Sequence, residues 1–171
     1  MKRKSLQYII LTALLAALVT VFTAFIGHIP LPGNEGFLHF GDALIYLAGC
    51  LLPTPYAVAV GAVGGGLADL LSTCPQYTIP TLVIKACVAL CFSAKRKKML
   101  RPRNVLALLP AAAVTVIGYY FAQLILFRGT DWRVILVPSV TASLIQAAGS
   151  SALFAALAAW FDKIGLKKRL G

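Results

Sequence analysis

Three ionisable side chains stand in apolar surroundings where an uncompensated charge is costly: Asp42, Asp69 and Lys85. Inside hydrocarbon each costs at least a few kcal/mol, so such groups pair, line a wet cavity or bind something. Lys85 has two possible partners, Asp69 and Asp42, and the outcome is either a buried ion pair that fixes helix register or a direct ligand contact by at least one of the three. Both acids belong to residues 40–71, two apolar segments joined by Pro53, Thr54 and Pro55. With both segments crossing a membrane, the proline turn lies on one face and the carboxylates lie toward the other, as a polar pocket open to one side. Tyr119 and Gln123 fall in the same outer half, whereas Gln146 sits near mid-membrane and reads as an interhelical hydrogen-bonding group. Tyr77, Tyr119, Tyr120 and Trp132 either form the aromatic belt of the outer interface or stack on a planar ligand.

These residues do not make a catalytic set. His28 and His39 lie in an outer loop without metal-ligand spacing, the chain has no GxSxG or HExxH, and its serines have no evident base. Gly61, Gly64, Gly65 and Gly66 lack the GK[ST] of a phosphate loop and lie in an apolar span. Neither enzyme activity nor a cofactor or metal is expected, and an ATP-driven motor must be another chain. Cys50, Cys74, Cys87 and Cys91 show no CxxC pair and read as small core residues.

The elements that position these groups follow from composition. With 171 residues, 60% hydrophobic and 12% charged, the chain reads as a single domain, residues 1–171, too apolar outside for water. Its formal charge of +11 does not indicate nucleic acid, because the basic residues gather at segment ends. Lys2, Arg3 and Lys4, then Lys95, Arg96, Lys97, Lys98, Arg101 and Arg103, then Lys163, Lys167, Lys168 and Arg169 take 13 of the 16 Lys and Arg positions. By the positive-inside rule these three segments are cytoplasmic, with anionic lipid or a partner as further contacts.

The run at 6–26 is too long for a signal peptide and reads as a retained spanning helix. On it Ala13, Ala17, Thr20 and Ala24 form one small-residue strip, suited to internal packing or to docking of a partner helix. Residues 28–39 read as an ordered or lid-like loop. A helix over 37–52 measures only about 24 Å and barely spans, with a re-entrant segment as the alternative. Helices from Tyr56, over 79–94, 104–127 and 134–161 complete the count. The fold expected is an all-α integral membrane bundle of six transmembrane helices with both termini cytoplasmic.

Taken together, these features resemble the substrate-binding S component of an energy-coupling factor (ECF) vitamin transporter, of the riboflavin-type superfamily. The resemblance rests on six short helices, Ala13-xxx-Ala17 matching an AxxxA docking motif, Gly41-Asp42 opening helix two, and the glycine-rich third helix ending in Ala68-Asp69-Leu70. It implies a multi-pass protein of the bacterial plasma membrane that takes a micronutrient from outside. It further implies docking, through Ala13 and Ala17, on a transmembrane coupling subunit carrying two ATPases. Substrate contacts are assigned on this basis to Glu35, His39, Asp42, Asp69, Gln76, Tyr77, Lys85, Tyr119, Gln123, Trp132 and Arg133, with Asp42 and Asp69 open to a structural role. The substrate expected first is a queuine or queuosine-type deazapurine, then pyridoxine or a thiamine-precursor pyrimidine. The competing classes are a proton-coupled carrier or membrane enzyme using Asp42, Asp69 and Lys85, and a structural membrane subunit.

Overall fold

A computed structural model describes residues 2–26, 29–30, 37–72, 74–95 and 97–167. Helix α1 (Lys2–Val21) runs on through a π-helical turn, Phe22–Ile26, to a two-residue antiparallel pair of β1 (Ile29–Pro30) and β2 (Phe37–Leu38). Then follow α2 (Asp42–Leu51), α3 (Thr54–Leu71), a 3-10 turn (Pro75–Tyr77) and α4 (Thr78–Leu90). The chain closes with α5 (Pro102–Leu106), α6 (Leu108–Leu126) and α7 (Trp132–Lys163). Because Ala107 between α5 and α6 is itself helical, Pro102–Leu126 forms one apolar unit, leaving six helical units. Lys4–Ile26, Thr54–Leu71, Pro102–Leu126 and Trp132–Lys163 are each long and apolar enough to cross a bilayer. The chain is a six-helix membrane bundle whose basic segments share one end.

The expected helix over 37–52 is corrected at its start. Residues 37–38 pair as a strand, and α2 has only 10 residues, about half the thickness of the hydrocarbon core. Gly41 caps the helix in the right-handed helical region, φ −60° and ψ −22°, and lies so close to the π-turn that an added Cβ would meet the Thr23 hydroxyl. Two residues after β2 the chain turns into the helix, the Phe40 and Gly41 carbonyls accepting from the Ala43 and Leu44 amides. Eight of its ten residues are buried, so α2 is surrounded by the other helices and forms the centre of the bundle. Its Tyr46 stacks on Phe92 at 4.7 Å between ring centroids, and Phe154 of α7 meets both rings edge-on.

Close helix approach depends on the α3 glycines. A Cβ on Gly61 would stand 2.5 Å from the Lys85 carbonyl of α4, and one on Gly64 would stand 2.9 Å from Val19 Cβ of α1. In water such residues weaken a helix; here they let three backbones touch, and dispersion replaces the absent hydrophobic drive.

The basic end is tied together by side chains bonding to backbone. Asn104 Nδ2 donates to the Ser93 and Met99 carbonyls, and Asp162 accepts from Met99 N at 2.8 Å and Leu100 N at 2.9 Å. Lys167 donates to the Cys50 and Ala94 carbonyls, joining the ends of α2 and α4 to α7. Burial holds its ammonium below the usual lysine range, partly offset by Cys50 and Asp162.

Candidate functional site

Asp42 opens α2, where the unpaired amides of the first helical turn favour negative charge. Lys85, on α4, places Nζ 2.7 Å from Asp42 Oδ1 and 2.9 Å from Oδ2. Gln146 of α7, 104 residues away, donates Nε2 to Oδ2 at 3.0 Å. Of the two partners open to Lys85, Asp42 is therefore the one it takes. The same ammonium lies 5.0 Å from the centroid of the Tyr119 ring. Asp42 and Lys85 are both at most 1% exposed, so their charges are matched within the protein, and three helices are pinned in register by one carboxylate.

Tyr119 links this cluster to the outer end. Its hydroxyl is 3.0 Å from Thr81 Oγ1, and its ring meets Tyr77 edge-on at 6.3 Å. Thr81 lies one turn before Lys85 on α4, so both project to the same face. It was not among the residues singled out by sequence; its four-residue spacing from Lys85 was the available signal. Gln123 is one turn beyond Tyr119 on α6 and buried, and Ser139 of α7 is buried with its hydroxyl unpartnered.

Asp69 differs from Asp42. It sits in the last turn of α3 and is 5% exposed, with the Lys85 charge nearby but no ion pair between them among the described residues. Its Oδ2 is buried without a hydrogen-bond partner. At a helix C-terminus the backbone dipole opposes negative charge, and the carboxylate is offset by Thr81 and the nearby Lys85 charge while Oδ2 itself accepts no bond. A donor or cationic group brought to it meets a desolvated acceptor.

The remaining predicted residues are distributed around this cluster. His39 is buried just before α2 and accepts the Gly41 amide on Nδ1 at 3.2 Å. Gln76 is exposed in the 3-10 turn. Trp132 and Arg133 are exposed at the start of α7, the guanidinium lying 5.3 Å from the indole centroid, so they cover each other and are not drawn into the buried set. Glu35 and His28 lie outside the described residues. Among the described residues no three His, Cys, Asp or Glu side chains are grouped as metal ligands.

On α1 the small-residue strip divides. Ala13 and Ala17 are exposed, whereas Thr20 and Ala24 are buried, Thr20 Oγ1 donating to the Gly64 carbonyl at 3.0 Å. The inner half of α1 also meets α3, Tyr8 lying 5.4 Å from Tyr56 between ring centroids, and Ala13 and Ala17 stay uncovered between the two contacts.

A multi-pass helical bundle with charged and polar groups buried beneath its outer end has the architecture of a membrane transport protein. Residues 3–162 match the family model described as "ECF-type riboflavin transporter, S component", and the chain belongs to that family. It is accordingly a multi-pass membrane protein of a transporter family and not an enzyme. A curated protein of Pyrococcus woesei, described as "Uncharacterized protein in gap 3'region", is 40% identical over 67 residues, 39% of this chain and 44% of that protein. The chain thus spans under half the length of that relative.

Proposed function

We propose that this chain is the substrate-binding subunit of an ECF-type importer, taking from outside a flat nitrogen heterocycle that carries hydrogen-bond donors. A queuine or queuosine-type deazapurine is the leading substrate. The bound molecule passes inward when the subunit docks through Ala13 and Ala17 on a transmembrane coupling subunit that carries two ATPases.

The observation that supports this reading is the contrast between the two acids. Asp42 is charge-matched by Lys85 and hydrogen-bonded by Gln146, whereas Asp69 keeps a buried oxygen without a hydrogen-bond partner. Ring N–H and exocyclic amino groups supply what that oxygen lacks, and Tyr119 and Tyr77 offer aromatic surface for a flat ring. Gln123, Thr81 and Ser139 add neutral donors and acceptors able to read its edge. Glu35, His39 and Gln76 contribute from the outer connections, Trp132 and Arg133 from the start of α7, and Lys85 acts by holding Asp42 and Tyr119.

The test is a thermal-shift screen of the purified full chain against queuine, riboflavin, pyridoxine and the thiamine-precursor pyrimidine. A ligand that binds only the folded state at a hundred times its Kd adds about 2.7 kcal/mol to apparent stability. Queuine is expected to raise Tm and the other three are not. A shift with riboflavin alone would replace the deazapurine assignment. No shift with any compound, in protein shown to be folded, would favour the structural-subunit reading.

A further inference from the structure

At the cytoplasmic end, opposite the substrate cluster, two cavities adjoin. The first, about 700 Å³, is a leucine-rich groove between α1, α2 and α7, lined among others by Leu14, Leu18, Leu47 and Leu157, with Lys95 at its edge. The second, about 540 Å³, is lined by Lys97, Lys98 and Lys163, and the two share Phe161 and Lys167. A long apolar slot thus leads into a basic basin at the level where the helices leave the membrane.

The basin keeps a net positive charge, since one carboxylate, Asp162, stands among Lys97, Lys98, Lys163 and Lys167. Lys95, Lys97, Lys98 and Lys163 are exposed, and among the described residues no carboxylate pairs with them. Asp162 is the one acid lining the basin, and both its oxygens are occupied by the Met99 and Leu100 amides. Lys167 is turned inward to two backbone carbonyls. The groove is equally unfilled, since Leu14 is 56% and Leu18 46% exposed along its wall.

We propose that this composite site binds one anionic phospholipid of the cytoplasmic leaflet, an acyl chain lying in the groove and the phosphate among Lys95, Lys97, Lys98 and Lys163. Charge complementarity selects the headgroup, and continuity between the cavities ties headgroup to tail. Ordinary lipid contact with an apolar surface accounts for neither feature, because it carries no headgroup preference. The site is independent of what the outer cluster binds.

The experiment uses the full chain, stripped of lipid in detergent and titrated with dioleoyl phosphatidylglycerol or dioleoyl phosphatidylcholine, with bound lipid counted by native mass spectrometry. One phosphatidylglycerol per chain is expected at concentrations where phosphatidylcholine is not retained. Each lysine near an anionic headgroup contributes about fivefold, so Lys97→Gln with Lys98→Gln weakens retention roughly thirtyfold. Leu14→Trp and, separately, Leu18→Trp fill the groove from exposed positions that the core does not depend on, and both lower retention. Equal retention of the two lipids would reduce the site to ordinary lipid contact and overturn the proposal. So would displacement of the lipid by millimolar inorganic phosphate, which would mark a simple anion site. Tryptophan variants that keep phosphatidylglycerol but lose capture of the coupling subunit would assign the groove to a protein partner instead.

Discussion

Asp42 and Asp69 show how one residue type acquires two roles around a single ammonium, which pairs with the first and not with the second. Asp42 has a helix N-terminus, Lys85 and Gln146, so it is satisfied before any ligand arrives. Lys85→Met strands that carboxylate, and breaking one side of a buried pair costs roughly 3–5 kcal/mol. The expected result is a drop in Tm on the order of 10 °C, largely recovered when Asp42→Asn is added; an unchanged Tm would show that the pair carries little of the fold. Asp69→Asn behaves in the opposite sense. It removes a buried charge without an ion-pair partner, so Tm holds or rises, while ligand affinity falls by roughly 1.5–3 kcal/mol with the loss of a charge-assisted hydrogen bond. Isothermal titration with the compound that shifts Tm measures this, and undiminished affinity would remove Asp69 from the site. The sequence shows that two acids and one base share the outer half. It cannot choose between the acids, because the choice depends on Gln146, 104 residues away, and on where α2 begins.

That beginning is a matter of elements. Apolar periodicity extends α2 back to about residue 37, yet residues 37–38 pair with residues 29–30 as a strand and the helix begins only at Asp42. A pairing made across the intervening loop leaves no trace in local apolar pattern. The sequence left the α1 strip open between internal packing and docking, and the structure divides it, Thr20 and Ala24 being buried and Ala13 and Ala17 exposed. By contrast, the glycine run of α3 was legible, since glycine in an apolar span has few purposes besides close approach. It yields a signed prediction. Gly61→Ala gains up to about 1 kcal/mol in helix propensity but drives a methyl to 2.5 Å from the Lys85 carbonyl, and overpacking of this kind costs typically 1–3 kcal/mol. The backbone cannot yield as a side-chain tip can, so the strain outweighs the propensity. Tm is expected to fall, and ligand affinity with it, because α4 carries both Lys85 and Thr81. A rise in Tm would show that α3 and α4 separate freely.

Across the whole molecule, capture and delivery are proposed to use different surfaces. The polar cluster lies beneath the outer end, enclosed by α2, α3, α4, α6 and α7, while Ala13 and Ala17 lie exposed on α1. Helix α1 contributes none of the cluster's polar bonds, so a change on its exposed face has no direct path to the site. Ala17→Trp places a large ring where two helices must approach within about 8–10 Å, and it needs no adjustment of the core. Reconstituted with the coupling subunit and its ATPases, the variant is expected to lose uptake entirely while its ligand affinity stays within about twofold of the parent. The twofold bound follows from scale, since anything larger than 0.4 kcal/mol would require coupling through the packed α1–α3 contact. Equal loss of binding and uptake would therefore mean that α1 bears on the site itself, and retained uptake would mean that docking uses another face.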